Sequence, residues 1–530
     1  MQGIADQTRD KATREAGNPP WDRVAIAPPA EWVVAEPYDA EVRAKAGAHL
    51  THLLWVRQVE AEAGQSFHAT AVRLETPLAV QHESQWRLDL DARNSRLTLH
   101  WLRVVRGGVR IDQLRRERMR LMQRETQLDH HVIDGSWTLL LVLEDVRAGD
   151  IIEAGYSFEW VHPIRPGGCE AFFVVPPQAT VGRYHFGVTS APTRTALRWK
   201  SSEEMPAPRE ESLPDGRRRW DWEGAQLEPR EPETNQPSTH FDHQWVQVSD
   251  LADYGELAAR VERAWAAQND QEGLAETPGF ARPETVNAAA ILALIRQVQD
   301  GFRYLSMDLE TSGWIPSSPG LVARRRHGDC KDLAWLAATV LRGWGVAARP
   351  VLVGTGLRER VGDLLPMAMW FNHAILEVEH GGELRWFDLT CRDLGGDFSN
   401  QAVGWFGRGL VVGGAAGGGL RAQPGRRSAG KYERRETVLL DTRRSGASAV
   451  EVRLRAEGWQ ADSLRRSWLA QGAERFAKER EEQAQRRLGR ARRVGELRWR
   501  DDREANVCEL AEAYEVLDAA HPGEQEQRAL

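Results

Sequence analysis

Hydrophobic and polar positions alternate in short runs through the first half of the chain. HLLWVRQVE, RLTLHWLRVV, WTLLLVLE, EAFFVV and RYHFGV all follow a two-residue period, which is the signature of half-buried strands. Turn signals such as Arg106-Gly107-Gly108 and Asp134-Gly135 separate them. The pattern predicts an antiparallel β-sandwich over residues 21–245, after a polar tail at 1–20 expected to be disordered. From about Asp250 the period changes. LADYGELAARVERAWAAQ and PETVNAAAILALIRQVQDGFRY read as helices, the second opening with Pro283 near its first turn. In HGDCKDLAWLAATVLRGWG the apolar positions Leu333, Leu336, Ala337, Val340 and Leu341 make one helical stripe. Asp329 is its expected N-cap, and Gly343 and Gly345 close it.

Two-residue alternation returns in FNHAILEVEHGGELRWFDLTCRD, which predicts a hairpin turning at Gly381-Gly382. Ala374, Leu376, Val378, Phe387 and Leu389 then form a core face, and His373 and Asp388 point the other way. With that loop His380 opposes Glu383 and His373 opposes Thr390, so Asp388 is a diagonal neighbour of His373, roughly 7–8 Å away along the backbone and within side-chain reach. This helix–sheet region, residues 246–415, reads as an α+β domain. A Gly-rich linker is expected at 416–430. Residues 431–530 read as a small C-terminal β-rich domain with one charged helix from about Asp462 to Arg490, its buried side marked by Leu464, Trp468 and Phe476, and a truncated end is expected.

Composition narrows the function classes. The chain has 530 residues, and Lys+Arg of 70 against Asp+Glu of 77 gives 70 − 77 = −7, a balance that argues against a general nucleic-acid binder. Cys169, Cys330, Cys391 and Cys508 are scattered, with no C-x-x-C, so neither a disulfide framework nor a zinc site is expected. His130-His131 and the His240/His243 pair lack a third ligand, and the reading assigns no metal and no cofactor. No apolar run reaches the ~18 residues of a membrane span. The polar start has no signal-peptide core, so the sequence as written is expected to be cytoplasmic. Oligomeric state is not set by the sequence.

Cys330 is the chemically suggestive residue. A thiol in the first turn of a helix feels the positive end of the macrodipole, which favours thiolate. With His373 as base and Asp388 to orient it, the three form a candidate nucleophilic triad. Asp329, Lys331 and Asp332 are read as capping and solvated first-turn residues. Trp314 and Asn372 are weaker candidates for substrate contact or a second oxyanion donor; packing and strand structure are the competing readings. Cys391 is read as incidental.

GDCKD around Cys330, FNHAILEV around His373 and WFDLT around Asp388, with the approach FRYLSMDLETSGWIPSSPGLVARRRHGDC, resemble the transglutaminase-like superfamily. Leu389 stands where related bacterial sequences would carry Pro. Residues 104–160 resemble an uncharacterised β-rich domain that often precedes such domains in bacteria. The resemblance implies a papain-like arrangement and attack of Cys330 on a protein or peptide amide through a thioester. Hydrolysis is the first expectation. Cross-linking acyl transfer and a non-catalytic peptide- or protein-binding module are the alternatives. Relatives of this architecture are often exported to the cell envelope or periplasm, against the cytoplasmic reading of the N-terminus.

Overall fold

The structure, a computed structural model, describes residues 19–123, 137–194, 197–231, 233–237, 239–241, 243–305, 313–413, 418–425, 430–441 and 447–517. The polar tail up to residue 18, the Asp134-Gly135 turn and His130-His131 lie outside them.

The alternating first half forms sheets, as its period requires. A nine-stranded sheet is built around the neighbours Ser95–Arg106, Ile151–Trp160, Gln65–Leu74, Leu50–Glu60, Thr180–Ser190 and Arg218–Leu227. Most pairings are antiparallel, but Leu50–Glu60 runs parallel to Thr180–Ser190, and Val24–Ile26 runs parallel to Ser95–Arg106. Two three-stranded sheets cover it. Leu97, Leu99 and Ile152 meet Leu121, Leu139 and Leu141 of one; Tyr184, Phe186 and Trp222 meet Phe173, Val246 and Val248 of the other. Trp245–Ser249 is the central strand of that second small sheet. The expected boundary at 245/246 therefore falls at the start of a strand that is fully buried in the N-terminal unit.

The central region contains helices α1 (Tyr254–Ala266), α2 (Ala288–Gly301), α3 (Pro319–Arg325) and α4 (Cys330–Gly343). Its strands are β1 (Ala347–Val353), β2 (His373–His380), β3 (Glu383–Phe387), β4 (Arg408–Val411) and β5 (Gly419–Ala422), in the order β3-β2-β1-β4-β5. Asn287, rather than the earlier Pro283, starts α2, because its side chain accepts from Ala290 N at 2.9 Å. The hairpin has the anticipated register, with His380 opposite Glu383 and Leu376 opposite Phe387. Gly381 and Gly382 have φ of 59° and 81°, the left-handed pair that a two-residue turn demands. Leu336, Ala337, Val340 and Leu341 of α4 pack on Leu376, Val378, Phe387 and Leu389, the predicted core face.

The opposite sheet face is also buried, since Val351, Ile375, Trp386 and Phe406 cluster on it. Glu377, fully buried there, is compensated by Arg349 at 3.1 Å, Arg421 at 2.7 Å and Trp386 Nε1 at 3.0 Å. The linker expectation at 416–430 is corrected in part: Gly419–Ala422 pairs with β4 as the edge strand of this sheet. Gly residues there read as flexible, but the strand hydrogen bonds decide the conformation.

The C-terminal region is a five-stranded antiparallel sheet. It carries two helices, Trp459–Gln471 and Ala473–Leu488, where one was expected. Gly472, at φ 76°, ends the first and begins the second. Trp468, Phe476 and Leu464 do face the sheet, with Trp468 stacked on Trp499. No helix among the described residues is long and apolar enough to cross a membrane.

Candidate functional site

The start of α4 is held by the residues around it. Arg303–Tyr304 pairs in parallel with His327–Gly328, and Leu305 N donates to Gly328 O at 3.0 Å. Gly328 leaves room for the first turn, because a Cβ there would lie 2.7 Å from Asp332 Cβ. Asp329 caps the helix as expected: its Oδ1 accepts from Asp332 N at 3.1 Å, and Asp332 Oδ2 accepts from Asp329 N at 3.3 Å, a reciprocal capping box.

One expectation about this turn fails. Asp329, Lys331 and Asp332 are each only 1 % exposed, not solvated. Every residue from Cys330 to Leu341 is buried, because apolar clusters enclose α4 on both sides. The charges survive burial by pairing. Lys331 Nζ binds Asp329 Oδ2, and Asp332 binds Arg325 and accepts from Ser317 N at 2.7 Å. Burial raises the Asp329 pKa, with Lys331 opposing.

Cys330 itself is 3 % exposed, and its side chain acts on the His373 imidazole. His373 Nε2 pairs with Asp388 Oδ2 at 3.0 Å. Burial works to lower the imidazole pKa, but the Asp388 carboxylate outweighs it, with the Cys330 contact adding, and holds it well above the usual histidine range. Phe406 lies against the ring, 5.9 Å between centroids. Asp388 is fixed from three sides. Its Oδ1 accepts from Thr390 N at 3.0 Å and Thr390 Oγ1 at 2.7 Å, and its carbonyl accepts from Gln299 Nε2 of α2 at 2.8 Å. Gln299 is also bonded to Gln401. Burial would raise the Asp388 pKa, yet His373 and Thr390 hold it at about 2.

The structure thus brings Cys330, His373 and Asp388 together from α4, β2 and the end of β3. Thr390 was missed, although Asp-x-Thr after a strand is a recognisable side-chain turn motif. Gln299 had no sequence signal; only the packing of α2 places it. Trp314 reaches the apolar cluster that holds Cys330, but at 1 % exposure it is packed in the wall, its carbonyl accepting from Trp265 Nε1 at 2.7 Å. Asn372 is turned elsewhere. Its Oδ1 accepts from Thr355 N at 3.0 Å and its Nδ2 donates to Thr355 Oγ1 at 2.9 Å, so it ties the start of β2 to the loop after β1. Burial pushes the thiols of Cys169, Cys391 and Cys508 each up to about 12.

The paired Asp388 gives a pH prediction. Its folded pKa lies below the ordinary 3.8, so its stabilising contribution is present above that value and is lost as pH falls toward about 2. Asp388→Asn lacks this contribution. The stability gap between wild type and Asp388→Asn should therefore narrow as urea midpoints are followed down through that window; a constant gap contradicts the pairing.

Comparison with known proteins places these domains. Residues 276–391 match the transglutaminase-like superfamily core, and residues 61–231 match DUF3857, a domain of unknown function with a solved structure. Similar solved structures include a proposed protease from Parabacteroides distasonis, at 10% identity and a TM-score of 0.58, covering 88% of this chain and 93% of that one. Another is a proposed cysteine protease from Cytophaga hutchinsonii, at 15% identity, 42% and 71% coverage and a TM-score of 0.19, too low to support an argument. The first likeness shows a shared fold along nearly both chains. No curated protein matches the sequence.

Proposed function

We propose that this chain, with its transglutaminase-like domain behind a DUF3857 domain, is a cysteine-dependent amide hydrolase acting on protein or peptide substrates. The observation that supports the reading is the His373 imidazole, bonded through Nε2 to the Asp388 carboxylate at 3.0 Å, with the Cys330 thiol among the groups that raise its pKa.

In the proposed cycle His373 Nδ1 takes the Cys330 proton, and Sγ attacks the amide carbonyl carbon. Asp388 keeps the imidazole oriented and stabilises its cation. The backbone N–H of Cys330, one of the helix-start donors without an intrahelical acceptor, is the candidate partner for the developing oxyanion. The C–N bond breaks as His373 returns the proton to the leaving amine, which leaves a thioester on Cys330. A water deprotonated by His373 then cleaves the thioester to a carboxylic acid and regenerates the thiol. Trp314 and Asn372 have no step in this cycle.

The test is incubation of the protein with a peptide mixture and a primary amine, read by mass spectrometry. Hydrolysis predicts new peptide termini that vanish in Cys330→Ala. Amine incorporation dependent on Cys330 would replace hydrolysis by acyl transfer. Neither product would leave a binding module.

A further inference from the structure

The N-terminal domain holds a cavity of about 210 Å³ that the proposed chemistry does not use. That is well above the space one water needs, so it has room for several waters or one small molecule. Its walls come from the turn between Leu50–Glu60 and Gln65–Leu74 and from the stretch Trp160–Glu170. Three wall side chains carry buried N–H groups with no acceptor: Arg57 Nε, His162 Nε2 and Arg165 Nε. Arg165 is 2% exposed and His162 5%. His162 Nδ1 accepts from Ile164 N at 3.3 Å, so the neutral ring carries its proton on the unpartnered Nε2.

The acids in the same wall are already engaged. Glu60 accepts from Ala63 N at 2.7 Å, Glu62 pairs with Arg194 at 3.0 Å, and Glu170 binds Arg165 and accepts from Ala368 N at 3.0 Å. Arg57 is different. It donates to Phe172 O at 2.8 Å and lies 4.9 Å over the Phe173 ring, and no acidic side chain among the described residues pairs with it. Arg57 is half-buried with its Nε closed to solvent; a partly desolvated guanidinium without a counter-charge is costly, and desolvation lowers its pKa to about 10. Gly168 keeps the cavity open beside Arg165: a Cβ there would lie 2.9 Å from Nη2 and 3.1 Å from Nε.

We propose that this cavity binds a small carboxylate, which supplies the counter-charge Arg57 lacks and accepts from the idle N–H groups of Arg165 and His162. Those donors are closed to solvent in the structure, so binding requires their side chains to rotate toward the ligand. The exposed Trp160 and Val161 stand at its edge. The location joins the site to the central domain, since Glu170 holds the Ala368–Trp370 turn that leads into β2, and the His162 ring packs 5.5 Å from that of Trp314.

The experiment uses the full chain with ¹⁵N-labelled histidine and does not depend on catalysis. Sodium acetate should shift the His162 ring resonance saturably, and acetamide, its neutral isostere, should need at least about tenfold more because the charge-assisted bonds are gone. Gly168→Ala should abolish the acetate response. Arg57→Met, a second variant that keeps the stem, should weaken it by a similar factor. Equal responses to acetate and acetamide, or an unsaturable shift unchanged in both variants, would overturn the proposal. Competition separates two sources of the same group: displacement of acetate by triglycine supports a peptide C-terminus, and no displacement supports a free acid.

Discussion

Cys330→Ala should reduce peptide hydrolysis to background, and His373→Gln should lower kcat/KM by roughly 10³-fold, about 4 kcal/mol of barrier. The first removes the atom that forms the thioester. The second removes the proton acceptor and also the cation beside buried Asp388, so its amide, which can still bond the carboxylate, should limit the stability loss to roughly 1–3 kcal/mol, and rates are compared on folded protein. The combination separates chemistry from folding. In the proposed cycle the two residues act as one unit, so the double variant should be no slower than Cys330→Ala alone. Steady-state rates on a peptide cleaved by the wild type give the numbers. A His373→Gln enzyme within about tenfold of wild type would remove His373 from the cycle.

Lys331→Met carries the largest expected stability loss, about 3 kcal/mol, because it strands Asp329 in the core without its cation. Methionine keeps most of the buried stem, so the loss reports the charge and not a cavity. Asp329→Asn combined with Lys331→Met should recover most of the loss. The amide oxygen still caps the helix through Asp332 N, and no charge is left unpaired. Urea unfolding of the two variants measures this. A loss under about 1 kcal/mol for Lys331→Met would mean that the ammonium is hydrated and the first turn open, as its sequence position suggested.

That contrast shows where local reading stops. Hairpin register, the two-glycine turn, the N-cap and the meeting of His373 with Asp388 follow from spacing of a few residues, and all were legible. Lys331 looked solvated because charged residues usually are; its burial depends on clusters built from α2, α3 and the N-terminal domain. Gln299 is 89 residues from Asp388 in sequence, and nothing local marks it. Asn372 looked well placed beside His373, but strand alternation sends neighbouring side chains to different partners, and it went to Thr355. The second C-terminal helix was hidden because Gly472 interrupts a pattern whose charged character continues across it. Gly419–Ala422 was misread because a glycine-rich composition does not reveal a partner strand.

The central claim is that His373 and Asp388 activate one thiol among four, and competitive alkylation tests it most directly. With iodoacetamide at about pH 6, where an unassisted thiol is almost wholly protonated, Cys330 should be labelled at least about tenfold faster than Cys169, Cys391 or Cys508, and His373→Gln should remove the difference. Exposure alone predicts another order, because Cys391 is the most accessible of the four and Cys330 is buried. Labelling of Cys391 ahead of Cys330, or Cys330 labelling unchanged by His373→Gln, would contradict the account.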